Sequence, residues 1–322
     1  MVSKLLARFP AVEVGARLLY WRVAPLRRLG DALRKQVRAR RKAAAPPGPQ
    51  PIAMDAVLAA LRDLGVGAGD ILIVHSSYSA LKPTGLSPDA INAALAELLG
   101  PTGTLAMPAI ATIAHEPQGD AKFDDAAYDR LFTYDPKSRR IQTGALPSAL
   151  MATPDAHRSL FPGNSMVALG PDAEAMMAGN IAGDLPTPCG PTSSWAYCYR
   201  KNAKIAAIGV DLVHSLTMIH VAEDAFEEEW PVPGWYRRRR FLIKDPAAPR
   251  EVEIRERKHG WSQYYAERRF SRDLHHAGIA RTALVGDLPI HVCDSARLVA
   301  FLRSHRPGPY PYFIPAGLLK RK

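Results

Sequence analysis

The stretch IAAIGVDLVHSLTMIHVAEDA, residues 205–225, decides how the rest of the chain is interpreted. Its first four residues are apolar and Gly209 ends the run, which is typical of a strand covered on both faces. After a loop, Ser215 is expected to cap a helix. His220 and Glu223 stand three residues apart on that helix and therefore share a face. An imidazole beside a carboxylate just past a strand indicates proton transfer, although such a pair is also an ordinary feature of helix surfaces and cores.

The residues before this stretch alternate between helix and strand patterns. The predicted elements, in chain order, are a helix at 54–64, a buried strand at 71–74, a helix at 88–99 and a strand at 105–107. Because right-handed crossovers connect parallel strands, the alternation predicts an α/β fold with a mainly parallel central sheet flanked by helices. Ligands gather at the carboxyl ends of the strands in such sheets, where His75, Ser76 and Ser77 lie.

The region after the second strand has a weaker pattern. Residues 109–143 are polar and rich in loop-forming residues, which indicates a functional loop within a compact domain. A helix is expected at 145–151 and a strand at 166–169. The basic run 237–240 is expected to lead into a further strand.

The bulk composition, 47% hydrophobic and 23% charged, is that of a soluble globular protein. The chain has neither the long apolar run of a membrane-spanning helix nor the features of a secretory signal. Cys189, Cys198 and Cys293 lack metal-ligand spacing and are expected to be free structural thiols. A cytoplasmic protein without a metal site is therefore expected.

Nearly all of the net charge of +11 lies near the N-terminus, where twelve Lys and Arg stand against two acidic residues. We expect a basic amphipathic extension at 1–44, a proline-rich linker at 45–51 and one main domain at 52–322. The cations together with Trp21 are typical of a segment that binds an anionic membrane surface, here the inner face of the membrane. A solvated or partner-docking arm is the plain alternative, and nucleic-acid binding is the less favoured one.

Five motifs follow one another in a recognisable order. They are VHSSYSAL at 74–81, GPTGTLAMP at 100–108, TGALP at 143–147, Arg158-Ser159 with Pro162 and Ser165, and Gly209-Val210 leading to HVAE at 220–223. Their order and spacing resemble the aminoglycoside 3-N-acetyltransferase family, the antibiotic N-acetyltransferases that differ in fold from the GNAT acetyltransferases. The resemblance spans residues 52–310 and implies that family's α/β fold.

The resemblance also implies acetyl-coenzyme A as the acetyl donor, with no metal. The residues that would hold its pantetheine arm are His75, Ser76, Ser77, Tyr78, Thr143 and Gly144. Hydroxyls and backbone N–H groups at a strand end can bond the pantetheine amides, and glycine permits a close backbone approach. From the residues alone, Ser76 and Ser77 could equally cap a helix, and His75 could be a hydrogen-bonded core histidine.

The acceptor would be the amine of a small molecule or glycan. The resemblance assigns His220 as the general base, because a protonated amine must lose a proton before it can attack the thioester. Glu223 would fix the tautomer of the imidazole or bind the cationic acceptor. Glu116 is the other residue expected to bind the acceptor.

Departures from the family leave the acceptor open. After Pro108 the drug-modifying members carry an acidic cluster, whereas this chain reads AIATIAHE at 109–116 and keeps only Glu116. Aminoglycosides are polycations that acidic side chains attract, so the loss of most of this cluster weakens the case for an antibiotic as the acceptor. The alternative acceptor is an amino sugar of a surface polysaccharide or of a lipid-linked precursor. Residues 227–229, all Glu, could compensate or form a solvated helix face. A non-catalytic membrane- or nucleic-acid-binding protein on this fold is the alternative from another class.

Overall fold

The computed structural model describes residues 6–23, 25, 27–30, 32–33, 36–37, 50–245 and 247–319. Most of the linker predicted at 45–51, and part of the extension predicted at 1–44, lie outside these residues. The strands of the described residues are β1 (Ile71–Ser76), β2 (Thr104–Pro108), β3 (Leu131–Tyr134), β4 (His157–Arg158), β5 (Met166–Leu169), β6 (Lys204–Ile208), β7 (Tyr236–Ile243), β8 (Arg250–Arg257), β9 (Arg281–Val285) and β10 (Leu288–Asp294).

Seven of these strands form the central sheet, in the order β4–β5–β2–β1–β6–β10–β9. The three middle strands, β2, β1 and β6, are parallel. All the remaining pairs in this sheet are antiparallel. The predicted α/β fold is confirmed, with the parallel pairing confined to the middle of the sheet. The edge strand β9 and its neighbour β10 run antiparallel because a tight connection at Gly286 (φ 58°), rather than a helical crossover, joins them.

Helices cover both faces of this sheet. The helices of the described residues are α1 (Pro10–Arg22), α2 (Met54–Asp63), α3 (Tyr78–Leu81), α4 (Pro88–Leu99), α5 (Ala145–Leu150), α6 (Ala173–Met177), α7 (Ser194–Arg200), α8 (Leu212–Ser215), α9 (Val221–Asp224), α10 (Glu267–His276) and α11 (Ser295–Arg303), of which α1 lies away from the sheet. Short 3-10 turns lie at Lys82–Thr84, Gly119–Phe123, Asp125–Tyr128, Thr217–His220, Glu227–Glu229, His259–Tyr264 and Ala316–Leu318.

Helix α4 shows why the long sequence patterns predicted their elements well. It has the predicted bounds, and the hydroxyl of Ser87 caps it by accepting the amide N–H of Ala90 at 3.2 Å. Pro88 occupies the first turn, where its missing N–H costs nothing. Gly100 ends the helix with a φ of 66°, a conformation that glycine adopts without strain.

Two apolar layers pack against the central sheet, one on each face. Ile73 and Ala207 pack in the layer that α7, α8, α9, α10 and α11 cover. Val74 and Ile208, one residue further along the same strands, pack in the layer that α2, α4 and α5 cover. Because successive side chains of a strand point to opposite faces, a strand buried on both sides is apolar throughout, which explains the continuous apolar runs in β1 and β6.

A second, three-stranded sheet has the order β3–β7–β8. The region 109–143, expected to be a loop, supplies β3 and the buried Tyr128, and these pack with Phe241 in a separate small core. The basic run at 237–240 lies within β7, where Arg237 and Arg239 are buried. Their guanidinium carbons lie 3.7 Å and 4.9 Å from the centroid of the Tyr128 ring. This cation–π contact offsets part of the free-energy cost of removing the two charges from water.

Candidate active site

In the stretch 205–225 the predicted strand is confirmed as the end of β6, but the predicted single helix is divided into two short helices and a 3-10 turn. The carboxylate of Asp211 caps α8 by accepting the amide N–H groups of Val213 and His214, at 2.9 Å and 3.2 Å. The predicted cap at Ser215 is therefore wrong, because Asp211 begins the helix four residues earlier and Ser215 ends it. A 3-10 turn, Thr217–His220, then leads into α9, so His220 is delivered by a turn between two short helices.

The turn after β6 requires a glycine. Gly209 has a φ of 66°, which residues with a side chain rarely adopt. A Cβ at this position would also lie 2.5 Å from the Cβ of Ala80, in helix α3 that follows β1. Gly209 therefore lets the chain leave β6 close to β1 and bring α8 over the carboxyl ends of both strands.

His220 and Glu223 share a face, as predicted. The Nδ1 atom of His220 lies 3.0 Å from Oε2 of Glu223, whose residue is only 2% exposed. The second carboxylate oxygen, Oε1, accepts the hydroxyl of Tyr312 at 2.8 Å. Arg257 in turn donates to that hydroxyl oxygen. The four side chains form a continuous hydrogen-bonded chain that ends at the imidazole.

This chain selects the tautomer of the neutral imidazole. Burial alone would raise the pKa of Glu223, but His220, Arg257 and Tyr312 together bring that pKa below its ordinary value. An ionised carboxylate only accepts hydrogen bonds, so Nδ1 of His220 carries the proton that points at Glu223. The lone pair is then on Nε2, which is the form that a general base needs.

Asp224 adds a second buried carboxyl beside the pair. Its oxygens accept the hydroxyl of Tyr236 and the backbone N–H of Cys189, each at 2.9 Å. Burial, followed by the neighbouring charge of Glu223, raises the pKa of Asp224 to about 7. These bonds tie α9 to β7 and to the loop before α7, so they hold the helix that carries Glu223 in place.

His220 lies between two cavities. The larger, of about 300 Å³, is also lined by Arg257, Tyr312 and Thr217. The smaller, of about 160 Å³, is lined by Glu223, Asp224 and Glu256 among others. The imidazole can therefore reach a group that enters from either side.

A third cavity, of about 240 Å³, lies at the carboxyl ends of the central strands. His75 and Ser76 from the end of β1 line it together with Thr143. His214 and Thr217 also line it, and both residues border the 300 Å³ cavity beside His220 as well. The two cavities thus adjoin, at the position where sheets of this type bind ligands.

The polar groups of the third cavity fit an amide-containing ligand. Nε2 of His75 and Oγ1 of Thr143 are buried and have no hydrogen-bond partner within the described residues. Burial lowers the pKa of His75 to about 4, so its ring is neutral at pH 7. Gly144 has a φ of 97° and open space where a side chain would stand. Buried polar atoms normally have partners, and a pantetheine arm would supply them here.

Two other residues predicted to bind the coenzyme use their polar groups within the protein. The backbone N–H of Ser77 donates to the carbonyl of Ile208 at 3.1 Å, and Ser77 precedes α3. The hydroxyl of Tyr78 donates to the carbonyl of Leu86 at 3.3 Å. Both residues shape the turn after β1, whereas His75 and Thr143 line the cavity.

The predicted acceptor residue Glu116 is paired within the second sheet. Its two carboxylate oxygens accept hydrogen bonds from Arg239 at 2.7 Å and 3.1 Å. Within the described residues it does not line the cavities beside His220. Its charge is compensated by Arg239, which also donates to Glu256 at 2.9 Å. The acidic residues that line the smaller cavity beside Glu223 are therefore Asp224 and the ion-paired Glu256.

The acidic run at 227–229 has salt-bridge partners in the fold. Glu227 forms two bonds with Arg255, at 2.7 Å and 2.8 Å. Glu229 accepts Nε of Arg303 at 2.9 Å. These pairs pin the 3-10 turn to β8 and α11.

The three cysteines are buried free thiols. Burial raises the pKa of Cys189, Cys198 and Cys293, so none is a ready thiolate at neutral pH. Within the described residues, no group of three or more His, Cys, Asp or Glu is arranged to hold a metal ion.

Tyr312 and Arg257 are candidate functional residues that the sequence did not reveal. Tyr312 stands 89 residues after Glu223 in the chain, and Arg257 belongs to β8 of the second sheet. No local spacing links either residue to the HVAE motif. Only the packing of the second sheet and of the C-terminal segment against α9 brings them to the imidazole.

The chain is similar in sequence to known aminoglycoside N(3)-acetyltransferases. The family model described as aminoglycoside 3-N-acetyltransferase matches residues 73–305. Aminoglycoside N(3)-acetyltransferase III from Salmonella sp is 33% identical over 172 residues, which are 52% of this chain and 59% of that protein. Aminoglycoside N(3)-acetyltransferase VIII from Streptomyces fradiae is 29% identical over 274 residues, 78% of this chain and 90% of that protein.

Solved structures share the fold. The structure of AAC-IIIb in a binary complex with CoASH is 27% identical, with a TM-score of 0.61, and the match covers 78% of this chain and 95% of that one. Aminoglycoside acetyltransferase AAC(3)-Xa is 24% identical with a TM-score of 0.65, covering 79% of this chain and 94% of the other, and it supports the fold alone. The family model matches more than half of this chain, and the chain therefore belongs to the aminoglycoside 3-N-acetyltransferase family.

Proposed function

We propose that this protein transfers an acetyl group from acetyl-coenzyme A to the amine of an amino sugar, with His220 as the general base. The observation that carries the proposal is the imidazole held by a buried, ionised Glu223 between two cavities. Family membership supports the reaction type, and the AAC-IIIb complex with CoASH supports the coenzyme.

The coenzyme would enter the 240 Å³ cavity. Its pantetheine amides would bond the unpartnered atoms of His75 and Thr143, with Ser76 beside them and Gly144 allowing a close approach. Ser77 and Tyr78 would support the turn that presents His75. The cavity leads past Thr217 toward His220, so the thioester end would lie near the imidazole.

The residues of the site account for the proton transfers. Nε2 of His220 takes a proton from the acceptor amine while the amine nitrogen forms a bond to the carbonyl carbon of the thioester. The carbon–sulfur bond then breaks, and the leaving thiolate takes the proton from the imidazolium of His220, which restores the base. Glu223 stabilises the imidazolium that forms, and Tyr312 and Arg257 hold Glu223 in place. The smaller cavity is lined by Glu223 and Asp224, whose carboxyl oxygens would accept hydrogen bonds from the amine, and by Arg257.

The acceptor is an aminoglycoside or an amino sugar of surface polysaccharide biosynthesis. The relatives are named for the antibiotic, whereas the pairing of Glu116 with Arg239 removes one acidic group that would attract a polycation. Thiol release from acetyl-coenzyme A, measured with gentamicin, with glucosamine and with nucleotide-linked amino sugars, tests the proposal. Turnover of gentamicin alone would contradict the polysaccharide acceptor, and no turnover of any amine would contradict the enzymatic function and favour a non-catalytic protein.

We also propose that the protein is cytoplasmic and that its basic extension associates with the inner face of the cell membrane. The exposed apolar side chains of this segment include Phe9, Val12, Leu19 and Leu29, among basic residues. No helix in the part of the chain that the structure describes is long and apolar enough to cross a membrane. Flotation with vesicles containing phosphatidylserine should recover the protein at low salt, and equal recovery with neutral vesicles would contradict an electrostatic association.

A further inference from the structure

A further cavity, of about 350 Å³, lies next to the acceptor side of the site. His259 lines this cavity and also the 160 Å³ cavity that His220 and Glu223 line, so the two cavities adjoin at the His259 ring. Ligand sites usually enclose about 300–1,000 Å³, which the 160 Å³ cavity does not reach by itself. With the coenzyme arriving on the other side of His220, an acceptor larger than one sugar ring would extend into the 350 Å³ cavity.

His259 is held as a neutral ring with its proton on Nε2. Arg237 donates through Nη2 to Nδ1 of His259 at 2.7 Å. A guanidinium only donates, so Nδ1 is the acceptor and Nε2 carries the proton. Burial, followed by the charges of Arg237 and Arg257, lowers the pKa of His259 to about 4, so the ring stays neutral at pH 7. The ring therefore offers an N–H donor to a ligand where the two cavities meet.

Aromatic side chains form part of the wall of the 350 Å³ cavity. Trp261 and Tyr264 line it with ring centroids 6.0 Å apart, and Phe123 lines it as well. The ring of Trp235, only 2% exposed, stacks on that of Trp261 at a centroid distance of 5.5 Å and an interplanar angle of 22°. The indole N–H of Trp261 donates to the carbonyl of Gly234 at 3.3 Å. Trp261 is thus a preformed apolar surface of the kind on which the C–H face of a sugar ring packs.

The charged side chains of this cavity are paired with one another. Lys258 forms a salt bridge with Asp125 at 2.5 Å, and Arg237 lies 3.4 Å from the same carboxylate. Both cations are therefore engaged, which disfavours the phosphates of a nucleotide. Donors and acceptors placed together suit hydroxyl groups, because each hydroxyl both donates and accepts. We propose that this cavity is a second acceptor subsite, which binds a sugar ring attached to the amino sugar whose amine His220 deprotonates.

This subsite rests on the proposed function for the identity of the 160 Å³ cavity, and binding measurements separate the two. Calorimetry on the full-length protein loaded with coenzyme A compares glucosamine with disaccharides in which a neutral hexose is joined to glucosamine through O1, O4 or O6. Each ligand carries one amine, so its charge does not differ. At least one disaccharide should bind about ten-fold more tightly than glucosamine.

The outcomes for the subsite and for the reaction are distinct. Equal binding of glucosamine and all the disaccharides, or no binding of any of them, would overturn the subsite even if an amine is acetylated. Tighter binding of a disaccharide without acetyl transfer would support the subsite and contradict the proposed function.

Two substitutions test where the second ring binds. Gly260 lines the 350 Å³ cavity and has open space where a Cβ would stand, so Gly260→Phe should fill the cavity without displacing packed atoms. This variant and Trp261→Ala should each lower the ratio of disaccharide affinity to glucosamine affinity about five- to ten-fold, and Trp261→Phe should restore part of it. An unchanged ratio in both Gly260→Phe and Trp261→Ala would overturn the placement.

A matched glycine and a nucleotide-linked sugar complete the test. Gly67 has equally open space for a Cβ and lines neither cavity, so Gly67→Phe should keep the wild-type ratio. The Kd for coenzyme A checks that each variant is folded. UDP-glucosamine should gain less over glucosamine than the best disaccharide does. An equal gain that Gly260→Phe abolishes would overturn the assignment of the cavity to a sugar ring.

Discussion

Replacing Glu223 by Gln tests how the imidazole is prepared for catalysis. The side chain keeps its shape, but its amide can donate to Nδ1 of His220, which would place the ring proton on Nε2 and remove the base. A hydrogen bond to a charged group contributes about 1.5–3 kcal/mol, a factor of roughly 10–100. The loss of the working tautomer adds to this, and an Asp-to-Asn change beside a catalytic histidine elsewhere costs about 10⁴-fold. We therefore expect kcat/KM to fall about 10²–10⁴-fold.

The assay is thiol release from acetyl-coenzyme A between about pH 6 and 9, a range that spans the ordinary pKa of histidine, with the best acceptor of the amine panel. The Kd for coenzyme A, measured by calorimetry, should stay unchanged because Glu223 does not line the coenzyme cavity within the described residues. Glu251→Gln, at an exposed position of β8, serves as the matched control. A kcat/KM for Glu223→Gln within about three-fold of the wild type would refute this account of the imidazole.

Three further predictions concern the surrounding residues. Tyr312→Phe removes the 2.8 Å bond to Glu223 and should lower kcat about ten-fold with KM for the coenzyme unchanged; an unchanged kcat would contradict the role given to Tyr312. Thr143→Val should raise KM for acetyl-coenzyme A about five- to ten-fold and leave kcat within about two-fold, whereas an unchanged KM would place the coenzyme elsewhere. His75, neutral when folded, has its pKa lowered from 6.5 to about 4, so the stability from this shift is complete above pH 6.5 and is lost as pH falls toward 4. Between about pH 7 and 4 the free energy of unfolding, measured with urea, should fall by about 3 kcal/mol more in the wild type than in His75→Gln. An equal fall in the two proteins would contradict the lowered pKa of His75.

Elements with a long regular pattern could be predicted from the sequence. The helix at 88–99 has the predicted bounds because a cap, a proline and a glycine mark both ends. The strand at 166–169 and the run that becomes β6 could also be predicted, because buried strands are uniformly apolar. The contact between His220 and Glu223 could be predicted from their spacing of three residues, and it is kept because the 3-10 turn that ends at His220 continues directly into α9.

The second sheet could not be predicted in the same way. Its strand β7 carries Arg237 and Arg239 in buried positions, so the sequence pattern of a basic run resembles an exposed face. The burial depends on Tyr128 and Glu256, which come from other parts of the chain. Tyr312 lies 89 residues after Glu223, so no local motif indicated that the two side chains are in contact.

The docking of α1 is a further contact that spacing could not reveal. Glu13 pairs with Arg268, which lies 255 residues later in the chain. Arg17 pairs with Glu267, which lies 250 residues later. The basic character of this segment indicated a membrane surface, whereas the buried Glu13 is what joins the helix to α10. A single acidic residue among many cations gives no sign in the sequence that it will be buried.

The most direct test of the central claim is acetyl transfer by His220→Ala, with the N-acetylated amine detected by mass spectrometry. We expect kcat to fall about 10²–10⁴-fold and the Kd for coenzyme A to change by less than about two-fold. A His220→Ala variant that acetylates the amine at the wild-type rate would contradict the account.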